Sequence, residues 1–288
     1  MNLAFWGTPD LTTTYLDALK TAGMMPVVII TNPDRPKGRG QEMAATPAKL
    51  WAIEHNVPVL QPEKLDEAFF HELSVFALDL SVVVAYGKII PQNFIDLPKH
   101  STLNVHYSLL PQYRGAAPTE SAILNGDTET GCSIQVMRFK LDSGPIIAEE
   151  ITSIGPDETT TDLRRRLTNI GAKLLVETLP KYIAGELNAR EQDDSLATRS
   201  GKIKKEDGLI DPAGDPIENY RKFRAYIEWP RTYFFQNDNR AQAEQSSHDG
   251  KRVIITKAHL ENGTFVIDRV LPEGKNEIAY GDFARLGK

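Results

Sequence analysis

In the first half of this 288-residue chain, short β-branched and apolar runs with no polar face alternate with stretches of helical spacing, and few folds accommodate that alternation. Residues 3–6, 27–30, 57–60, 81–85 and 102–106 read as strands. Residues 10–21, 47–55 and 66–73 carry helical spacing; in the first of these, Asp10 is placed to cap a helix that buries Tyr15, Leu16 and Leu19. A strand that is apolar on both sides must be covered on both sides. The pattern therefore predicts an α/β fold with a doubly wound, mostly parallel sheet. A helix over 116–125 and strands over 132–137 and 146–154 continue it. Over 162–182 the stripe Leu163, Leu167, Ile170, Leu174 and Leu179 predicts a long amphipathic helix that closes a first domain, residues 1–188.

The pattern then lapses. Residues 189–205 are polar and charged, with Arg190, Arg199, Lys202, Lys204 and Lys205, and read as a linker. Residues 206–288 follow with a helix near 217–223, a Trp229-Pro230 turn and strands near 232–235, 253–257 and 265–270, which predicts a smaller, mostly β, barrel-like second domain. The polar tract from Asn237 to Arg252 stands where further barrel strands are expected, so an abridged barrel is expected. Apolar residues make up 41% of the chain, enough to fill two cores. The net charge of -6 argues against a general nucleic-acid coat but leaves room for a local basic patch. One cysteine, Cys132, excludes an intrachain disulfide; no leader opens the sequence, and no apolar run approaches the roughly 20 residues of a membrane span. A cytoplasmic monomer with no membrane contact is expected. The histidines show no metal-ligand spacing, so no metal is expected.

Three residues carry the chemistry. Asn104 and His106 lie two apart on a strand, hence on one face, near the end where open α/β sheets bind ligands. Asp142 lies in the loop 140–145. A carboxamide, an imidazole and a carboxylate can together stabilise an oxyanion and move a proton, which acyl transfer to an amine requires. Taken alone, such an Asn and His pair is common on strands, and Asp-Ser-Gly is an ordinary turn signal; the surrounding motifs give them weight. Gly7-Thr8-Pro9, after the first strand, lacks both the GxGxxG pattern and the Lys-Ser/Thr of a phosphate loop, which argues against dinucleotide or NTP binding there.

Those motifs, in order, are GTPD from Gly7, PDRPKGRG from Pro33, VVVAYGKIIP from Val82, NVHYSLLPQYRGAAP from Asn104 and LDSGPI from Leu141. The set resembles the methionyl-tRNA formyltransferase family, and looser similarity runs through Trp229-Pro230 to LPEGKNE from Leu271. The Asn, His, Asp and SLLP core is common to all folate-dependent N-formyltransferases, including those acting on glycinamide ribonucleotide and on amino sugars. The resemblance implies transfer of a formyl group from 10-formyltetrahydrofolate to the α-amine of initiator methionyl-tRNA. It implies that Asn104 and His106 stabilise the oxyanion, and that Asp142 orients the imidazole, holds a water or relays a proton. It assigns the folate-contacting segment to Ser108, Leu109, Leu110 and Pro111, with backbone at Tyr86 and Gly87 lining the pterin pocket. Arg35, Lys37 and Arg39, with Lys202 and Lys204, are the expected tRNA contacts. The chain departs from the family at Gln41-Glu42 and Gln112, where basic residues are usual. An amino-sugar or other small-amine N-formyltransferase would keep the three residues without needing the basic loop. A non-catalytic folate or RNA binder would tolerate loss of His106.

Overall fold

The computed structural model describes residues 1–37, 41–236 and 250–286. The strands are β1 (Leu3–Gly7), β2 (Val28–Ile30), β3 (Arg35–Lys37), β4 (Glu42–Ala44), β5 (Val59–Leu60), β6 (Leu80–Val84), β7 (Thr102–His106), β8 (Arg114–Gly115), β9 (Glu129–Val136), β10 (Ile146–Ser153), β11 (Arg199–Ser200), β12 (Tyr233–Gln236), β13 (Lys251–Glu261), β14 (Thr264–Pro272) and β15 (Ile278–Ala279). The helices are α1 (Leu11–Thr21), α2 (Pro47–Glu54), α3 (Glu67–Ser74), α4 (Gln92–Ile95), α5 (Pro118–Asn125), α6 (Thr160–Ile183), α7 (Pro216–Ala225) and α8 (Tyr280–Leu286).

A seven-stranded sheet in the order β10-β9-β7-β6-β1-β2-β5 forms the centre of the first unit. β1 runs parallel to β2 and β6, and β6 parallel to β7. All five residues of β1 are buried, and they alternate between two cores. Leu3 and Phe5 face one core with Leu16, Leu19, Leu103 and Leu175; Ala4 and Trp6 face the other with Phe69, Leu73 and Phe94. Burial of each large side chain contributes about 1.5–3 kcal/mol, so a central strand covered on both faces outweighs any local preference. Trp6 meets Phe69, Tyr86 and Phe94 edge-on. The expected doubly wound sheet is thus present. Its one antiparallel neighbour that bears on the site is β9, which pairs with β7.

The chain divides into two compact units that interleave in sequence. The first takes Met1–Gly115, Thr130–Thr152 and Arg165–Arg199; the second takes Ala116–Glu129, Ser153–Arg164 and Ser200–Lys288. Of the stretch 189–205, residues through Arg199 group with the first unit and residues from Ser200 with the second. In the second unit the small β region is an antiparallel sheet, β12-β13-β14-β15. Val253, Ile255 and Val270 of that sheet pack with Tyr220 and Phe223 of α7 and Phe283 of α8. Asp215 caps α7 by accepting from the N–H groups of Ile217 and Glu218. Of the polar tract from Asn237 to Arg252, where an abridged barrel was expected, residues 237–249 lie outside the described residues and Lys251 and Arg252 open β13.

Candidate active site

β7 presents Asn104 and His106 on one face because its other face is committed to the core. Leu103 and Val105 are buried among the residues of α1 and α6, so the alternate residues project from the opposite side of the sheet. β9 lies antiparallel beside them, with Asn104 opposite Gln135 and His106 opposite Ser133. Gln135 is almost wholly buried, and it reaches the loop after β9: its Nε2 donates to Asp142 Oδ1 at 3.0 Å, and its Oε1 accepts from Gly144 N at 3.0 Å. Asp142 Oδ2 accepts from the N–H of Gly115 at 2.9 Å. Both carboxylate oxygens are therefore held, on a residue whose φ of 47° is left-handed.

His106 is buried, and its Nε2 lies 2.9 Å from the carbonyl oxygen of Tyr113. A carbonyl only accepts, so Nε2 carries the proton and Nδ1 is left for chemistry. Nδ1 lies 3.8 Å from Asp142 Oδ2, near enough for charge to be felt and too far for a hydrogen bond. The Tyr113 carbonyl thus holds the imidazole from the Nε2 side. The carboxamide of Asn104 makes no hydrogen bond among the described residues.

The segment after β7 folds into a buried turn. Ser108 Oγ donates to the Gln112 carbonyl at 2.6 Å, Ser133 Oγ donates to the Ser108 carbonyl at 2.7 Å, and the N–H of Leu110 donates to Ser133 Oγ at 3.0 Å. The side chains of Ser108 and Leu110 are inside this turn, while Leu109 and Pro111 are half-buried. Tyr86 is also buried; its carbonyl accepts from Asn32 Nδ2 and Thr8 Oγ1. Its hydroxyl has no partner among the described residues, and burial pushes the phenol up to about 12. Gly87, exposed with φ of 81°, turns the chain beyond it. Just past the loop 85–91, the first residue of α4 meets the loop of Asp142: Gln92 Oε1 accepts from the N–H of Phe139 at 3.0 Å. Ile89, Phe139 and Leu141 are exposed apolar groups on these two loops.

The expected tRNA contacts fall differently. Arg35 and Lys37 form the first strand of a hairpin, β3–β4, rather than an open loop, with Arg35 opposite Ala44 and Lys37 opposite Glu42. Arg35 Nη2 pairs with Glu63 Oε2 at 2.9 Å, both side chains being largely exposed. Arg39 lies outside the described residues. Lys202 and Lys204 are exposed and belong to the second unit. A groove of about 640 Å³ between Ile210, Lys222 and Phe234 in that unit contains none of the predicted residues, and its rim carries Asp211, Asp215 and Glu218. Among the described residues no group of three or more His, Cys, Asp or Glu side chains is placed to hold a metal ion, and no helix is long and apolar enough to cross a membrane.

The family model described as "Formyl transferase" matches residues 1–179. The chain is 37% identical to the methionyl-tRNA formyltransferase of Geobacter sulfurreducens, over 98% of this chain and 93% of that protein. It is 42% identical to the enzyme of the same name from Geobacter metallireducens, over 98% and 87%. This chain belongs to the methionyl-tRNA formyltransferase family. Among solved structures, methionyl-tRNA formyltransferase from Clostridium thermocellum superposes with a TM-score of 0.62 at 17% identity, covering 94% of this chain and 98% of that one. An N-formyltransferase from Helicobacter canadensis, in complex with folinic acid and dTDP-3-aminofucose, gives 0.63 at 17% identity, covering 93% and 98%. At such identities these two likenesses speak for the fold. Sequence reasoning about this formyltransferase missed Gln135 and the Tyr113 carbonyl. Gln135 becomes visible only through the antiparallel register of β7 and β9, and a backbone acceptor leaves no mark in residue type.

Proposed function

We infer that this chain transfers the formyl group of 10-formyltetrahydrofolate to the α-amine of methionyl-tRNA, with Asn104, His106 and Asp142 at the reacting centre. The observation that carries the reading is an unpartnered carboxamide beside an imidazole whose Nδ1 is free and a carboxylate 3.8 Å from it. The Asn104 amide donates to an oxygen on which negative charge gathers. A protonated His106 Nδ1 supplies a second donor, its orientation already set by Tyr113, so little reorganisation is needed as charge develops. Asp142 balances that imidazolium and is the group placed to take a proton from the attacking amine, directly or through a water, and to return it to the folate nitrogen whose bond to the formyl carbon breaks.

The residues present fit the formyl donor, which supplies the carbon that the amine attacks. A flat heteroaromatic ring needs an apolar wall and backbone hydrogen-bonding groups; Ile89, Phe139 and Leu141 offer the first, and the exposed backbone at Gly87 offers the second. Leu109 and Pro111 serve as further wall, while Ser108 and Leu110 act by shaping the turn. Arg35 and Lys37 on the hairpin, with Arg39, Lys202 and Lys204, are assigned to tRNA phosphates. The names of the relatives support a tRNA acceptor over an amino sugar. The test is transfer of labelled formyl to methionyl-tRNA and to an amino sugar from one donor, with Asn104→Ala alongside. Expected is transfer to tRNA only, with kcat of the variant lower by about 10²–10³. Equal rates for wild type and variant would defeat the assignment.

A further inference from the structure

Gln192 lies against the loop that carries Asp142. Its Nε2 donates to the carbonyl oxygens of Asp142 at 3.0 Å and Gly144 at 2.6 Å. Its Oε1 accepts from Arg114 Nε at 2.9 Å and Nη2 at 2.7 Å. Arg114 is itself buried, and its Nη1 pairs with Asp194, which also holds Lys140 at 2.7 Å. Lys140 and Arg114 keep the Asp194 carboxyl below the usual carboxylate range. Upstream, Arg190 and Ile146 exchange two backbone hydrogen bonds of 2.8 Å, and Arg138 pairs with Glu191. Downstream, Thr198 accepts from the N–H groups of Tyr113 and Arg114. Residues 190–198 thus form a strap tied on one side to the Asp142 loop and on the other to the turn whose Tyr113 carbonyl holds His106 and whose Gly115 N–H holds Asp142.

We propose that Gln192 is a positioning residue for formyl transfer, the hub through which this strap sets Asp142 against His106. The inference rests on the function proposed above. A carboxamide is suited to the position because it donates twice and accepts at once; a carboxylate lacks the donors, and Lys or Arg lacks the acceptor. Without those two donations the Asp142 loop loses its hold from the strap at the residue whose placement matters, and rates respond steeply to displacements of about 1 Å.

Gln192→Glu discriminates, because it keeps the size and the acceptor for Arg114 while turning both donations into contacts between a carboxylate and carbonyl oxygens. Steady-state kinetics, melting temperature and hydrogen exchange over 137–146 are measured on the full chain. Expected is a kcat lower by about tenfold or more, KM for methionyl-tRNA and for 10-formyltetrahydrofolate within about twofold, and faster exchange in that segment. Asp194→Ala, a change on an exposed side chain, removes the carboxylate that holds both Lys140 and Arg114 Nη1 and is expected to lower kcat by about threefold with KM unchanged. Full kcat in Gln192→Glu, or a loss expressed in KM alone, overturns the proposal. Should Gln192→Glu fail to fold, full kcat in Asp194→Ala does the same. A wild-type chain that transfers no formyl group would instead reject the function on which the inference rests.

Discussion

Gly144→Ala is a sharp test of how tightly the Asp142 loop must be held. A Cβ built on Gly144 would lie 1.7 Å from the carbonyl oxygen of Val136 and 2.9 Å from its carbonyl carbon. Ordinary contact lies at 3.4–4 Å, so the loop must retreat from the end of β9 by about 1.7–2.3 Å. The obstacle is backbone of a strand paired with β7, which cannot swing aside as a side chain would. Retreat breaks the 3.0 Å bond from Gly144 N to Gln135 and carries Asp142, two residues upstream, away from the Gly115 N–H. A misplacement of about 1 Å costs on the order of 10² in rate, or about 2.7 kcal/mol in activation free energy. The assay is single-turnover formyl transfer to methionyl-tRNA, with urea denaturation as control; a stability loss of about 1–3 kcal/mol is expected from the clash itself. If the variant folds and transfers formyl within threefold of wild type, then Asp142 need not be held where the structure has it, and the proposed role fails.

Two further outcomes are expected. Tyr86→Phe removes a buried hydroxyl that has no partner among the described residues, so at pH 7 it leaves stability unchanged or raises it by up to about 1 kcal/mol. It also flattens the alkaline decline. The phenol is held neutral up to about 12 in the fold, whereas an unfolded tyrosine ionises near 10. The unfolded chain therefore gives up its proton first, and wild-type stability falls above pH 10, by about 1 kcal/mol from this group at pH 11; parallel urea curves for wild type and variant across that window would contradict it. Arg35→Ala leaves stability within about 1 kcal/mol, since its pair with Glu63 is at the surface, but raises KM for methionyl-tRNA and lowers the salt slope of binding by roughly 0.7–0.9; an unchanged slope would remove Arg35 from the phosphate contacts.

The class of fold was legible because burial on two faces writes itself into residue type: β1, β2 and β6 have no polar side to show. The amphipathic stripe of α6 and the Asp10 cap of α1 were readable for the same local reason. The second face of β7 was legible too, since Asn104 and His106 interrupt an apolar strand at a spacing of two. Short elements escaped. The β3–β4 hairpin, β15 and α8 are too brief to show a period, and they take their shape from neighbours.

The sequence by itself determined which groups were available for formyl transfer and that two of them share a strand face, because side-chain alternation is a local property of extended backbone. Tertiary structure decided everything that depends on register across the chain. Only the antiparallel pairing of β9 with β7 sets Gln135 beside Asn104 and brings Asp142 to His106. Only folding puts the Tyr113 carbonyl on Nε2 and so leaves Nδ1 as the nitrogen nearer Asp142. Polarity predicted a linker over residues 189–205; in the fold Gln192 and Asp194 of that stretch are hydrogen-bonded to the Asp142 loop, because a polar side chain faces solvent or a buried partner with equal ease, and composition does not tell the two apart.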